Sequence, residues 1–191
     1  MQFNKVCTTN IRFMRLLYHI IRVVCYTKGR KNLKSCCFTG HRNIKPDHEL
    51  ENRLREVLTY LIEKGVTDFY AGAASGFDAL CERTVIALKQ TYSSIKLHLI
   101  LPCPKEYQTQ KWNKEQIAEY EKILGLADSV NIISDRYTPD CMKKRNEHLV
   151  KVSDCCVCYY NSRRYRSGTG QTVRMAERKG IEIINLYKPT G

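Results

Sequence analysis

The stretch AGAASGFDALCE, residues 71–82, combines two glycines four apart with two carboxylates four apart. Gly72 and Gly76 suit a tight turn that lets backbone N–H groups approach an anion. Asp78 and Glu82 then share one face in the first two turns of a helix. Carboxylates there cap a helix start or accept hydrogen bonds from sugar hydroxyls, and they repel a phosphate laid directly alongside. The spacing therefore puts phosphate on the Gly72–Gly76 backbone and a sugar toward Asp78 and Glu82. The same two carboxylates are the candidates for acid–base chemistry.

Two other segments have comparable chemistry. In TGHR, residues 39–42, Gly40 permits close backbone approach and Arg42 can grip a phosphate with paired donors. His41 between them has the type for general acid–base work or for donation to a ligand. YYNSRRYRSGTGQT, residues 159–172, is rich in Arg, Ser, Gly and Thr and runs straight into a helix. Each helix start offers free N–H groups and a positive dipole end. Trp112, the single tryptophan, can stack on a base or anchor a core. Arg145 and Asn146 lie in KKRNEH, which reads as a solvated helix face. No loop is a GxGxxG fingerprint or a Walker A motif. No Ser/His/Asp order and no Cys/His pairing stands out as a nucleophile with its base. Cys155 and Cys158 form a CxxC, but residues three apart on a strand face opposite sides, so no metal site is expected.

The elements that must position these residues alternate. Apolar runs at SCCFT, VTDFYAG, IKLHLILP, SVNIIS, DCCVCYY and IEIINLY read as strands. Between them, HELENRLREVLTYLIEKG, GFDALCERTVIALKQTY, NKEQIAEYEKILGLA, PDCMKKRNEHLVKVS and GTGQTVRMAERKG have helical periodicity. Pro139 suits the first turn of the fourth helix. This alternation implies right-handed crossovers and an α/β fold: a Rossmann-like three-layer sandwich with a mostly parallel central sheet. Ligands in such a sheet bind outside the carboxyl ends of the strands, where strand order reverses. TGHR, AGAASGFD and SGTGQT would all meet at that edge.

Composition constrains the class. With 191 residues, 43% hydrophobic and 27% charged, the chain is long enough for one domain with a full core. The net charge of +13 invites a nucleic-acid reading, but residues 1–34 hold eight basic and no acidic residues, which leaves only +5 for the rest. A mildly basic body argues against a nucleic-acid partner. Five of the ten cysteines, Cys36, Cys37, Cys155, Cys156 and Cys158, sit in apolar, strand-like runs, as reduced thiols in a cytoplasmic protein do. Residues 1–34 read as a basic extension outside the domain, and 35–191 as the domain. Within the extension, residues 11–26 could lie on an anionic membrane surface as an amphipathic helix, but the accessory reading is preferred.

Taken together, the motifs resemble the YpsA-like branch of the SLOG superfamily, whose wider membership includes DprA and the LOG-type phosphoribohydrolases. The matching elements are TGHR (39–42), GAASGFDALCE (72–82), Pro104, Gln110, Trp112, RN (145–146), SD (153–154) and SGTGQTVRMA (167–176). They cover roughly Ser35 to Tyr187. The resemblance implies a Rossmann-like fold and a sensor of nucleotide-derived ligands, with NAD or ADP-ribose-like molecules proposed. Some members are linked to cell division in Gram-positive bacteria. The ligand set it implies is Gly40, His41, Arg42, Gly72, Ala73, Ser75, Gly76, Asp78, Glu82, Trp112, Arg145, Asn146, Ser167, Gly168 and Thr169. Two departures stand out: Gly72-Ala73 where the family has paired glycines, and Ser167-Gly168-Thr169 where it has Gly-Gly-Thr. The expected partner is a small nucleotide-derived ligand, and a homo-oligomer is allowed. One alternative is an N-glycosidic hydrolase using Asp78, Glu82 or Glu177, although Glu177 falls two turns too late for the LOG-type motif. A second is DprA-like single-stranded DNA binding through Arg163, Arg164 and Arg166 among Tyr159, Tyr160 and Tyr165.

Overall fold

Apolar strands alternating with helices form a parallel sheet with helices on both faces. The structure, a computed structural model that describes residues 33–189, shows that sheet. The strands are β1 (Ser35–Gly40), β2 (Asp68–Ala71), β3 (Lys96–Leu101), β4 (Ser129–Ile132), β5 (Cys155–Tyr159) and β6 (Glu182–Asn185). All neighbours pair parallel, in the order β4-β3-β2-β1-β5-β6. The chain builds outward from β1 to β4, then returns to lay β5 on the other side of β1. The topological switch therefore falls between β1 and β5, a Rossmann-like arrangement.

Helices α1 (His48–Glu63), α2 (Phe77–Leu88) and α4 (Lys114–Leu126) pack in one layer, while α5 (Cys141–Val152) and α6 (Gly168–Lys179) form the other. A short helix, α3 (Lys105–Gln108), precedes α4 and was not expected from the sequence. Local signals explain the helix starts. Asp47 Oδ1 accepts the Leu50 N–H at 2.7 Å, and Asn113 and Gln116 form a reciprocal capping box at 2.8 and 3.0 Å. Pro139 sits in the turn before α5 rather than in its first turn, because Asp140 takes the N-cap position.

The layers close over buried side chains. Phe38 and Phe69 stack with centroids 6.0 Å apart, and Leu54, Leu58 and Leu61 of α1 are fully buried. Burying each such side chain contributes roughly 1.5–3 kcal/mol. On the other face, Cys37, Ile100, Cys156 and Cys158 pack under Leu149, Val173 and Ala176. The eight described cysteines are free and buried. Two polar ties fix the layers where apolar contact cannot. Asp154 Oδ2 accepts from the backbone N–H groups of Lys34 and Ser35 and from Ser35 Oγ at 2.9–3.1 Å, joining the starts of β1 and β5. Lys179 Nζ donates to the carbonyls of Val150, Lys151 and Ser153 at 2.7–2.8 Å, capping the C-terminus of α5 from α6. The expected basic extension, and membrane contact through residues 11–26, lie outside the described residues, apart from its last two, 33 and 34.

Candidate ligand-binding site

Past the carboxyl ends of β1 and β5 lies a cleft of about 310 Å³. Strand β1 delivers Gly40, His41 and Arg42 to it, and the start of α2 delivers Asp78. Helix α5 adds Arg145 and Asn146, and the start of α6 adds Ser167, Gly168 and Thr169. Nine sequence-predicted residues from four separate segments thus meet at the switch point.

Arg145 is the centre of this arrangement. Far from lying on a solvated helix face, it is 7% exposed, and Asp78 beside it is 4% exposed. The expected role of Gly72 changes accordingly: a Cβ there would occupy the position of the Arg145 guanidinium, so Gly72 seats that arginine. Arg145 Nη1 lies 3.5 Å from Asp78 Oδ2, a long contact, and its buried Nε has no partner. Burial pushes the Asp78 carboxyl above its ordinary range, against the pull of Arg145 and Arg42. Burial also draws the Arg145 guanidinium below its usual value. A buried cation that lines a cleft and has only a long contact to its carboxylate is suited to pair with an incoming anion.

The walls are preset. Gly76 has φ +81° and lies against the Arg42 carbonyl, where any side chain would collide. Ser167 Oγ caps α6 by accepting the Gly170 N–H at 3.1 Å. Gly168 lines the cleft, and a Cβ added there would meet nothing within 4 Å, so the helix start is open to a ligand. His41 is engaged: its Nε2 accepts the Asn161 N–H at 3.1 Å, tying the loop after β5 to the loop after β1. Burial, then the Arg164 charge, holds the imidazole below its ordinary value.

Other predicted residues go elsewhere. Ala73, Ser75, Glu82 and Trp112 line a separate slot of about 20 Å³ between α2 and α4. Glu82 is 1% exposed, and its Oε1 accepts the Ala73 N–H at 3.0 Å. Burial, reinforced by the Asp78 charge, pushes its carboxyl well above the usual range. Ala73 has φ 49°, a left-handed conformation rare for a residue with a Cβ. Glu82 from one side and Gln108, whose Nε2 donates to the Ala73 carbonyl at 2.7 Å, hold it there. Trp112 is packed edge-on to Tyr120 at 5.4 Å. The sugar position expected between Asp78 and Glu82 is therefore not a single place, because one residue faces the cleft and the other the slot.

The predicted ligand set omits Thr39, Asn43, Ala74 and Met142, which line the cleft, and Arg164, which the sequence offers only for the DNA-binding alternative. Met142 stands one turn before Arg145, a spacing that could have identified it. Arg164 belongs to the short 3-10 turn Ser162–Arg164 just before α6. Tyr159 stacks on Phe77 at 5.7 Å, and Tyr160 lies against His41 at 6.2 Å, so their rings have partners within the fold. Glu177 is exposed on α6 and does not line the cleft. Among the described residues no cluster of three His, Cys, Asp or Glu could hold a metal, and no helix is long and apolar enough to cross a membrane.

Comparison with known proteins agrees with this geometry. The YpsA family model, described as the YspA SLOG family, matches residues 29–187. The UPF0398 protein BH1768 of Halalkalibacterium halodurans is 30% identical over 124 residues, which span 64% of this chain and 63% of that relative. A UPF0398 protein of Bacillus thuringiensis is 26% identical over 166 residues, 81% of this chain and 88% of the relative. The X-ray structure of TM1055 shares the fold, with TM-score 0.50 and 16% identity over 79% of this chain and 72% of that one. The strand order, the motif-bearing loops at the switch point and a family match across residues 29–187 agree: the chain belongs to the YpsA family of SLOG proteins.

Proposed function

We propose that this protein binds a phosphate-bearing, nucleotide-derived ligand of the NAD or ADP-ribose class in the switch-point cleft, and serves as a sensor or regulatory protein. The observation that carries this reading is Arg145, buried at the cleft with a long contact to Asp78 and an unpartnered Nε. Arg42 and Arg164 at the rim add positive charge, and the open start of α6 adds backbone N–H groups. Phosphate sits between these arginines and Gly168, and Asp78 accepts from a ribose hydroxyl.

Binding is favoured over N-glycosidic hydrolysis because, of the three carboxylates considered, only Asp78 lines the cleft. Thermal unfolding of the chain with NAD, ADP-ribose and nucleoside monophosphates tests the reading. A saturating ligand at 100 times its Kd stabilises the fold by about 2.7 kcal/mol. Stabilisation is expected with wild-type protein and is lost in Arg145→Ala. The same melting temperature across the whole panel would overturn the reading. Release of free base during incubation would instead establish the hydrolase.

A further inference from the structure

Away from the cleft, three neighbouring strands bring together residues that lie about thirty positions apart in sequence. His98 of β3 stands opposite Ser129 of β4, and Asp68 of β2 stands one row nearer the strand starts, opposite Lys96. Ser129 Oγ is 2.7 Å from His98 Nδ1, and His98 Nε2 is 2.9 Å from Asp68 Oδ1. Thr67 Oγ1 donates to the other carboxylate oxygen, Oδ2, at 2.6 Å. The Tyr70 ring stacks on the imidazole with centroids 4.7 Å apart and planes 22° apart, which fixes the ring's orientation.

The Asp68 carboxylate selects the tautomer of His98 that suits a base. Burial alone would raise Asp68, but the bonds from Thr67 and His98 outweigh it and hold the carboxyl below its usual range. An ionised Asp68 can only accept, so His98 Nε2 carries a hydrogen toward it. In the tautomer protonated at Nε2 alone, Nδ1 carries the lone pair and the Ser129 hydroxyl donates into it. This is the order nucleophile, base, orienting carboxylate, with the two ring nitrogens exchanged relative to the serine-protease triad. The group is reachable: the side chains of His98 and Asp68 are 16% and 34% exposed.

We propose that Ser129 is the nucleophile of a second, hydrolytic site, with His98 as its general base and Asp68 as its positioning residue. The substrates it fits are small carboxylic esters with good leaving groups, because a nucleophile and a base suffice where the alkoxide departs readily. Ser129 Oγ attacks the ester carbonyl while His98 Nδ1 takes the hydroxyl proton. The carbon–oxygen bond to the leaving group breaks, and that proton goes to the departing alcohol. Water, deprotonated by His98, then attacks the acyl-serine; the acid is released and Ser129 regains its proton. Ester and water become acid and alcohol, with no other reactant. The site is independent of nucleotide binding.

The test treats the full chain with diisopropyl fluorophosphate and, separately, with p-nitrophenyl acetate. Peptide mass spectrometry is expected to place one phosphoryl adduct on Ser129, and p-nitrophenolate release is expected to turn over. His98→Gln keeps a hydrogen-bonding group but cannot take the proton, so it should melt like wild type and react about 100-fold more slowly. Asp68→Asn should lower kcat with KM little changed. Ser93→Ala, at an exposed serine elsewhere, should react as wild type does. No adduct on the wild-type chain, an adduct on another serine, or a folded His98→Gln that reacts at the wild-type rate would each overturn the proposal.

Discussion

Asp68 and Asp78 flank the same strand, β2, one at its start and one just beyond its end, yet they have opposite electrostatics. Asp78 is buried beside Arg145, and burial raises its carboxyl. Asp68 keeps about a third of its side chain in water, and two hydrogen-bond donors lower its carboxyl. Glu82, one turn after Asp78, repeats the buried case more strongly. The difference shows what each end of the sheet uses. Past the strand ends the carboxyls are held out of water. At the strand starts the carboxylate is partly solvated and orients a neighbour.

The largest effect expected at the carboxyl edge comes from Arg145→Ala. It strands a buried acid, so a loss of about 3–5 kcal/mol should appear in urea unfolding, together with loss of any nucleotide-induced shift. If stability is unchanged, the two aspartates do not differ in the way described. Gly76→Val comes next, at roughly 2–3 kcal/mol, from a strained φ and collision with the Arg42 carbonyl.

Acid titration sharpens the contrast. For Glu82, whose folded value is raised, stability is complete below the unfolded carboxylate range. It falls as pH rises, because the unfolded chain releases a proton that the folded chain keeps, until the folded group ionises too. Glu82→Gln should therefore remove a slope of up to about 1.4 kcal/mol per pH unit and stabilise the protein at neutral pH. Asp68 has the reverse sign: its contribution is present above the unfolded value and is lost as pH falls through the folded one. Asp68→Asn should flatten the acid limb of the stability curve. The smallest change is Ser129→Ala, expected to cost less than about 1 kcal/mol, since one part-buried hydrogen bond is lost.

How far sequence reveals these places follows from the same contrast. The alternation of strands and helices was readable because each element's pattern is contiguous. The cleft was largely readable because TGHR, GFD and SGTG are short loop motifs, and strand order alone brings them together. Only the family resemblance groups Arg145 with the other cleft residues; its own neighbours, KKRNEH, suggest solvent. Its burial depends on Gly72, 73 positions earlier. Glu82 was misplaced because helical periodicity shows that i and i+4 share a face but not which cavity each meets. The Ser129–His98–Asp68 relay was invisible, since it depends on the register of three parallel strands, which no local spacing records.

The eight described thiols, all at 0% exposure, give the domain a built-in reporter of its own opening. They are distributed over β1, α2, the loop after β3, α5 and β5. An alkylating reagent modifies each thiol only when its element separates from the rest. Site-resolved alkylation rates would therefore rank the breathing of individual elements without any engineered label. A ligand in the cleft should slow modification of Cys141, at the start of α5, more than that of Cys36, deep in β1.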